Sequence, residues 1–166
     1  MTTDEERYIE LFEEMYNLCI DNEWGDPFSY ARSREIHMAI TMKHAIASTY
    51  SGEDAIDQDG GAEYKSTIQK NICGAYNGIS VQPTWDEQVN YLRAEKLGKY
   101  PNHYFARFEG GKIVELWKLD CETVICLLLP KLKKQYDRFK VSRPKDPRLG
   151  ATISKTEIYN HGTQLL

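Results

Sequence analysis

A short acidic stretch that ends in a lysine contains the residues best suited to chemistry. Residues 51–67 carry several carboxylates, then Lys65, with Gly60-Gly61 between them. The acidic residues are Glu53, Asp54, Asp57, Asp59 and Glu63. Side chains two apart on a strand point to the same face, so we expect Glu63 and Lys65 to lie together. A chain reversal at Asp59-Gly60-Gly61 would bring Asp54 beside them.

Two carboxylates and an ammonium at one point favour a bound cation. Like charges at close range destabilise one another unless a cation lies between them. Mg²⁺ prefers oxygen ligands and commonly binds one or two carboxylates together with a substrate phosphate. The pattern therefore predicts a Mg²⁺ site at Asp54 and Glu63. The alternative interpretation is an exposed cross-strand salt bridge between Glu63 and Lys65.

Length and composition restrict the class of protein. A chain of 166 residues suits one domain, spanning residues 1–166. Its apolar runs are far shorter than the roughly 20 residues that span a bilayer. The acidic N-terminus lacks the features of a signal peptide. We therefore predict a cytoplasmic protein without a membrane partner. The cysteines lack Cys-x-x-Cys spacing, which disfavours zinc.

Charge is unevenly distributed along the chain. The net charge of −4 argues against nucleic acid as a partner. Residues 131–155, however, are mostly basic, and such a segment can present a polyanion-binding face. Its basic residues are Lys131, Lys133, Lys134, Arg138, Lys140, Arg143, Lys145, Arg148 and Lys155. A solvated helix face followed by a loop is the alternative interpretation.

Periodicity and capping signals predict the elements that must position the acidic stretch. Helices are expected over residues 3–22, 29–47, 85–97 and 121–139, with a kink or break at Pro130. Strands are expected over 55–56 and 62–68, in a hairpin over 103–109 and 112–119, and over 151–159. This order predicts an α/β fold with a mixed central β-sheet flanked by helices.

The first helix carries an apolar stripe whose partner the sequence leaves open. The stripe comprises Tyr8, Leu11, Phe12, Met15, Leu18 and Cys19, at three-four spacing. It either packs against the core of the same chain or contacts a second copy.

Two further segments have side chains suited to DNA. Hydroxyl and guanidinium groups at the start of the second helix suit phosphate contact; they belong to Tyr30, Arg32, Ser33 and Arg34. The glycine-rich segment 71–83 carries Tyr76, Asn77, Ser80 and Gln82. Asn and Gln can pair bidentately with adenine. An amphipathic helix start and a surface loop are the alternative interpretations.

The acidic stretch resembles the PD-(D/E)xK nuclease superfamily, and the chain resembles PvuII-type type II restriction endonucleases. The matching segments are Gly-Glu-Asp-Ala-Ile-Asp at 52–57, Glu-Tyr-Lys-Ser at 63–66 and Tyr-Asn-His-Gly-Thr at 159–163. The interval from Asp54 to Glu63 is one residue shorter than the family pattern. Glu53, Asp57 or Asp59 therefore remain candidates to replace or supplement Asp54.

The resemblance implies a restriction-endonuclease-like core and Mg²⁺-dependent, sequence-specific hydrolysis of double-stranded DNA. Asp54 and Glu63 would bind the metal, and the Tyr64 carbonyl would complete its shell. Lys65 would orient or deprotonate the attacking water. The alternatives are a junction-resolving, nicking or repair endonuclease of the same superfamily, or a nonenzymatic DNA-binding module.

The resemblance also implies how DNA is bound. Base recognition would come from residues 76–84 and 148–155, with residues 30–34 near the minor groove. The candidate contacts are Tyr30, Arg32, Ser33, Arg34, Tyr76, Asn77, Ser80, Gln82, Arg148, Ser154, Lys155 and His161. A palindromic site requires a two-fold reader, so we expect a homodimer, with its contact within helices 3–47. A companion DNA methyltransferase is also implied.

Overall fold

The helices lie at both ends of the chain and between the strands. The computed structural model describes residues 2–48, 52–142 and 144–166, so Ser51 and Arg143 lie outside the described residues. The helices are α1 (Asp4–Asp21), α2 (Arg32–Met42), α3 (Trp85–Tyr91), α4 (Cys121–Val141) and α5 (Lys155–His161). A π-helical turn, Leu92–Lys96, directly follows α3.

The strands form a mixed six-stranded sheet and a separate two-stranded ribbon. They are β1 (Ala45–Ile46), β2 (Ala55–Asp57), β3 (Gly60–Thr67), β4 (Gly74–Ser80), β5 (Asn102–Glu109), β6 (Lys112–Asp120), β7 (Arg148–Ile153) and β8 (Thr163–Gln164). The sheet order is β1-β2-β3-β5-β6-β8, and β4 pairs with β7 in the ribbon. Strands β3 and β5 are parallel, whereas the other neighbours are antiparallel. The prediction of an α/β fold with a mixed central sheet flanked by helices is confirmed.

Each face of the sheet is covered by its own hydrophobic core. Tyr104 and Ala106 pack with residues of α2 in one core. Phe105, between them, packs in the other core with residues of α4, the ribbon and α5. The alternation follows from the two-residue period of a strand. Because β3 pairs in register with β5, Glu63 and Lys65 share the face of Phe105.

Local capping signals predicted several helix ends correctly. Thr3 and Thr84 each form a capping box with the glutamate three residues later. Asp120 caps α4 by accepting a hydrogen bond from the Thr123 N–H, at 2.9 Å. The helix runs through Pro130, so the predicted break there is wrong. Buried residues before and after the proline, such as Leu128 and Leu132, hold both halves in the core.

The predicted bounds of the second helix are wrong at both ends. Ser29 does not cap it, because its hydroxyl donates to Asp26 in a preceding turn and α2 begins at Arg32. The helix ends at Met42, since Lys43 adopts a left-handed conformation with φ of 59°. The chain then enters β1, which pairs with β2.

The predicted strand over residues 151–159 is only partly present. Strand β7 ends at Ile153, and α5 follows from Lys155. Ser154 and Glu157 form a capping box that starts this helix, so the cap outweighs the apolar-polar alternation. Among the described residues, no helix is long and apolar enough to cross a lipid bilayer.

Candidate active site

The β2–β3 hairpin brings Asp54 to the predicted Glu63 and Lys65. The Asp54 N–H donates to the Ala62 carbonyl at 3.0 Å. The Tyr64 N–H donates to Oδ2 of Asp54 at 2.7 Å, which fixes this carboxylate against the strand between Glu63 and Lys65. The predicted chain reversal is therefore present, but it turns at Gln58-Asp59, and Gly60 and Gly61 already belong to β3.

Asp57 and Asp59 do not substitute for Asp54 in this structure. Oδ1 of Asp57 accepts the N–H groups of Asp59 and Gly60, at 2.8 and 3.1 Å, and so stabilises the turn. Asn102 donates to both carboxylates at 2.8 Å, and the Tyr104 hydroxyl donates to Asp57 at 2.7 Å. Asp57 lines a groove on the other face of the sheet.

The three predicted catalytic residues line one cleft of about 420 Å³. Its walls come from the segment before β2, from β3, from β4 of the ribbon and from the segment after α3. The lining residues are Gly52, Asp54, Glu63, Lys65, Tyr76, Asn77, Ile79, Lys96, Leu97, Lys99 and Tyr100. Glu53 is not among them. The fold therefore places the three predicted catalytic residues, Asp54, Glu63 and Lys65, in one cleft.

Glu63 and Lys65 form an ion pair within the cleft. The pair lies on one strand, and its side chains are only 18% and 21% exposed. The alternative of an exposed cross-strand salt bridge does not describe this geometry. The Lys65 ammonium also lies 4.9 Å from the centroid of the Tyr76 ring. Two contacts thus hold it in place.

The Asp54 carboxyl is harder to ionise than an ordinary aspartate. Its pKa is raised to about 7, first by burial and then by the charges of Glu63 and Glu35; the Tyr64 N–H and Lys65 oppose the rise. The pKa of Glu35 on α2 is raised by burial, and Glu63 adds to this rise against the opposing effect of Arg32. Burial and the charges of two nearby carboxylates therefore keep Asp54 partly protonated near neutral pH.

The donor atoms suit a hard cation. Within the described residues, no three His, Cys, Asp or Glu side chains are grouped as a preformed metal site. Asp54 and Glu63 nevertheless supply carboxylate oxygens in the same cleft, and their mutual repulsion favours a cation between them. Mg²⁺ commonly takes only one or two carboxylates and completes its shell with water and phosphate oxygens.

Tyr76 and His103 form a buried pair behind Lys65. The Tyr76 hydroxyl lies 2.9 Å from Nδ1 of His103, and the two side chains are 4% and 0% exposed. Burial, followed by the Lys65 charge, lowers the pKa of His103 to about 3, so the imidazole is neutral. The prediction that Tyr76 contacts DNA bases is corrected, because its ring packs in the core beneath Lys65.

One of the DNA contacts predicted at the start of α2, Arg32, is buried and stabilises the fold instead. Arg32 is 2% exposed and donates to the carbonyls of Trp24, at 2.7 Å, and Ala47. Its predicted contact with phosphate is therefore corrected. Tyr30 is 98% exposed, and Arg34 donates to the Ser66 hydroxyl at 2.9 Å. Ser33 and Arg34 line a groove beside the β5–β6 turn, not the cleft.

The ribbon unites two segments that the sequence separates widely. Strands β4 and β7 pair antiparallel, with Ser80 opposite Arg148. The Arg148 guanidinium donates to the Ser80 hydroxyl at 2.9 Å, and the Gln82 side chain donates to the Ser80 carbonyl at 3.4 Å. Asn77 is exposed on β4 and lines the cleft. The two segments predicted to recognise bases thus form one surface that reaches the cleft.

The remaining predicted DNA contacts lie on α5, away from the cleft. Ser154 caps this helix, and the Lys155 ammonium lies 5.0 Å from the centroid of the Tyr159 ring. Tyr159 stacks on Trp117 of β6, which places α5 beside the edge of the sheet. His161 is exposed at the end of the helix. None of the three predicted residues lines the cleft.

Several residues of the cleft region were missed by sequence reasoning. They are Glu35, Lys96, Lys99, Tyr100 and His103. Glu35 had a weak signal, since it lies three residues after Arg32 on the inner side of α2. The two lysines had none, because their placement depends on the π-helical turn.

Comparison with known proteins adds no assignment. No family model matches the chain, and no curated protein is significantly similar to it in sequence.

Proposed function

We propose that this protein is a Mg²⁺-dependent endonuclease that hydrolyses phosphodiester bonds in double-stranded DNA, and that it acts as a type II restriction enzyme with a restriction-endonuclease-like core. One observation carries the proposal: Asp54, Glu63 and Lys65 share a cleft in which burial and the charge of Glu63 raise the pKa of the Asp54 carboxyl. Such a cleft is suited to a divalent cation and a phosphate together.

Each of these three residues has a proposed role that follows from its position. Asp54 and Glu63 would hold the metal, with the Tyr64 carbonyl as a further oxygen ligand. A Mg²⁺ ion held there would supply charge neutralisation at the phosphate and would lower the pKa of water. Lys65 orients or deprotonates the attacking water and stabilises the negative charge that develops on the phosphate. The leaving 3′ oxygen takes a proton from solvent water.

The position of Lys65 favours this role. Its ammonium lies over the Tyr76 ring, and Tyr76 is held by His103 in the core. A flexible lysine is thereby kept beside the carboxylates without further ordering when substrate binds. A neutral His103 adds no positive charge that would repel Lys65.

The ribbon supports recognition of a duplex. Two-stranded β-ribbons can enter the major groove, and Asn77 and Arg148 offer side chains that pair with adenine and guanine. Asn77 lies in the cleft itself, so base reading on β4 would be directly coupled to the scissile bond. Ser80, Gln82 and the basic segment would add contacts to base edges and phosphates.

The uncovered face of α1 supports a homodimer. Within this helix only Cys19 is buried, whereas Tyr8, Leu11 and Leu18 are 68%, 49% and 54% exposed. Phe12 stacks on Phe28, with 3.7 Å between ring centroids, and so extends the apolar surface beyond the helix. A second copy would bury this surface and supply the two-fold symmetry that a palindromic site needs.

Digestion of DNA of known sequence tests the proposal. We expect fragments with fixed end sequences in the presence of Mg²⁺ and none in the presence of a chelator. Cleavage of four-way junctions without a preferred sequence would favour a junction-resolving enzyme instead, and cuts in one strand only would favour a nicking enzyme. Binding to duplex DNA without cleavage in Mg²⁺ or Mn²⁺ would contradict the enzymatic proposal.

A further inference from the structure

Part of the cleft lining comes from an unusual turn and the residues that follow it. After α3 the chain forms the π-helical turn Leu92–Lys96, and the N–H groups of Leu97 and Gly98 both donate to the Leu92 carbonyl, at 2.9 and 3.1 Å. A Cβ atom on Gly98 would lie 1.5 Å from the Arg93 carbonyl oxygen, so only glycine allows this closure. Such π-helical turns occur frequently at functional sites.

One lysine at the end of this turn and a second just after it line the cleft. Lys96 and Lys99 line the same space as Asp54 and Glu63. Among the described residues, neither ammonium has a carboxylate within ion-pair distance, whereas Lys65 is paired with Glu63. The Lys99 ammonium lies 5.1 Å from the centroid of the Tyr100 ring, which also lines the cleft. The cleft lining thus contains two carboxylates and, besides Lys65, two lysines that form no ion pair with a described carboxylate.

The presence of carboxylates and unpaired lysines in one cleft indicates which ligand fits. A metal ion alone would use the carboxylates and be repelled by the lysines. A phosphate chain would be attracted by the lysines and could reach the carboxylates only through a cation. Lys96 and Lys99 are flexible point charges that suit phosphate oxygens and carry no base preference. Arg93, on the same turn, is instead held by Glu122 at 2.6 Å.

We propose that Lys96 and Lys99 bind the DNA phosphates next to the scissile phosphate and position the strand across the cleft. The two lysines act as positioning residues, since neither contacts the carboxylate pair. This inference rests on the proposed function of the cleft. It assigns the π-helical turn the task of holding the substrate backbone, while the β4–β7 ribbon reads the bases.

A salt series with charge-removing variants tests the inference. DNA affinity of the Lys96→Gln/Lys99→Gln protein is measured by fluorescence anisotropy without divalent cations, for several duplex sequences. Each lost phosphate contact lowers the slope of log affinity against log salt by about 1, so we expect a slope smaller by about 2. Affinity at fixed salt should fall at least about tenfold for every sequence. Cleavage should show a raised KM and a nearly unchanged kcat.

The matched control removes two lysines that do not line the cleft. Lys43 directly follows α2 and Lys112 begins β6, and the Lys43→Gln/Lys112→Gln protein has the same net charge as the test variant. We expect its salt slope to stay close to that of the wild type. The Lys96→Arg/Lys99→Arg protein should retain the slope, because the charge is kept. If the double glutamine variant fails to fold, each single variant should lower the slope by about 1.

Failure of the inference is distinct from failure of the nuclease assignment. A wild-type protein that cleaves DNA, with a double variant whose slope equals that of the control, would overturn the inference alone. A fall in kcat without a change in KM would also overturn it, because the lysines would then act in the chemical step. A wild-type protein that binds but never cleaves DNA, with the expected loss of slope, would support the inference and overturn the nuclease assignment.

Discussion

The main-chain N–H of Tyr64 donates a hydrogen bond to the Asp54 carboxylate at 2.7 Å. Tyr64 lies between Glu63 and Lys65, so this bond ties the carboxylate that precedes β2 to the strand that carries the other two residues. The Tyr64 side chain points to the opposite face, where its hydroxyl lies 2.7 Å from Nδ1 of His44. The site is thus anchored through the sheet rather than held by a surface loop.

Lys65→Ala should abolish cleavage and leave DNA binding intact. The substitution removes the ammonium that would activate water and stabilise charge on the phosphate, while the lysines and arginines elsewhere still contact the backbone. We expect kcat to fall at least about 100-fold and affinity to change less than about threefold. Single-turnover cleavage and anisotropy measure these quantities. Lys112→Ala is the control, and a Lys65→Ala protein that cuts at the normal rate would refute the assignment.

Asp54→Asn should stabilise the metal-free protein at high pH. Because the folded-state pKa of Asp54 is about 7, above its ordinary value of 3.8, the folded protein keeps a proton that the unfolded chain releases between these values. Wild-type stability should therefore fall as pH rises through this window. We expect the variant to gain about 1–3 kcal/mol over the wild type at pH 8 and little at pH 4.

The same variant tests the metal site. Thermal unfolding with and without Mg²⁺ should show a stabilising shift for the wild type at pH 8, where Asp54 is ionised, and a smaller one at pH 6. Asp54→Asn should lose this shift. Asp57→Asn is the control for a carboxylate on the other face of the sheet and should retain it. Equal shifts for wild type and Asp54→Asn would remove Asp54 from the metal site.

Gly74→Ala should destabilise the fold and disturb Lys65. A Cβ at this position would lie 2.3 Å from Cε1 of the buried Phe105 and 3.1 Å from Cγ of Lys65. Strand β4 must therefore shift away from β3, at a cost of about 1–3 kcal/mol. Urea unfolding measures the stability, and kcat should fall more than stability alone explains.

Gly110→Ala is the control for Gly74→Ala, because it introduces backbone strain without a steric clash. Gly110 has a φ of 56°, but a Cβ there would meet no atom within 4 Å. We expect it to lose about 1 kcal/mol through backbone strain and to keep its kcat under conditions where it is folded. Equal activity of the two variants would argue against a role for the close β3–β4 approach in placing Lys65.

Leu11→Glu should convert a dimer into a monomer. The substitution places a charge in the exposed apolar stripe of α1, where a second copy would have to desolvate it. Analytical ultracentrifugation should show twice the chain mass for the wild type and a single chain for the variant. Glu13→Lys, a change of charge on the acidic side of α1, should remain dimeric. A monomeric wild type that cleaves both strands fully would contradict the dimer.

Interactions between residues close in sequence determine several helix ends and the core of the candidate site. The capping boxes at Thr3 and Thr84 depend on residues three positions apart. The meeting of Asp54, Glu63 and Lys65 depends on one turn and on the two-residue period of a strand, so it could be read from a short segment. The same locality made residues 151–159 ambiguous, where an alternating pattern competed with the Ser154 cap.

Tertiary structure decided what depends on contacts between distant segments. The pairing of β4 with β7 joins Ser80 to Arg148, and no local pattern records that partnership. Burial turned Arg32 and Tyr76 from expected DNA contacts into internal supports, because their neighbours come from other elements. Glu35, Lys96 and Lys99 reached the cleft region only through the packing of α2 and the closure of the π-helical turn. Residue type and spacing thus predicted which three side chains meet at the candidate site, and long-range packing decided which other side chains lie beside them.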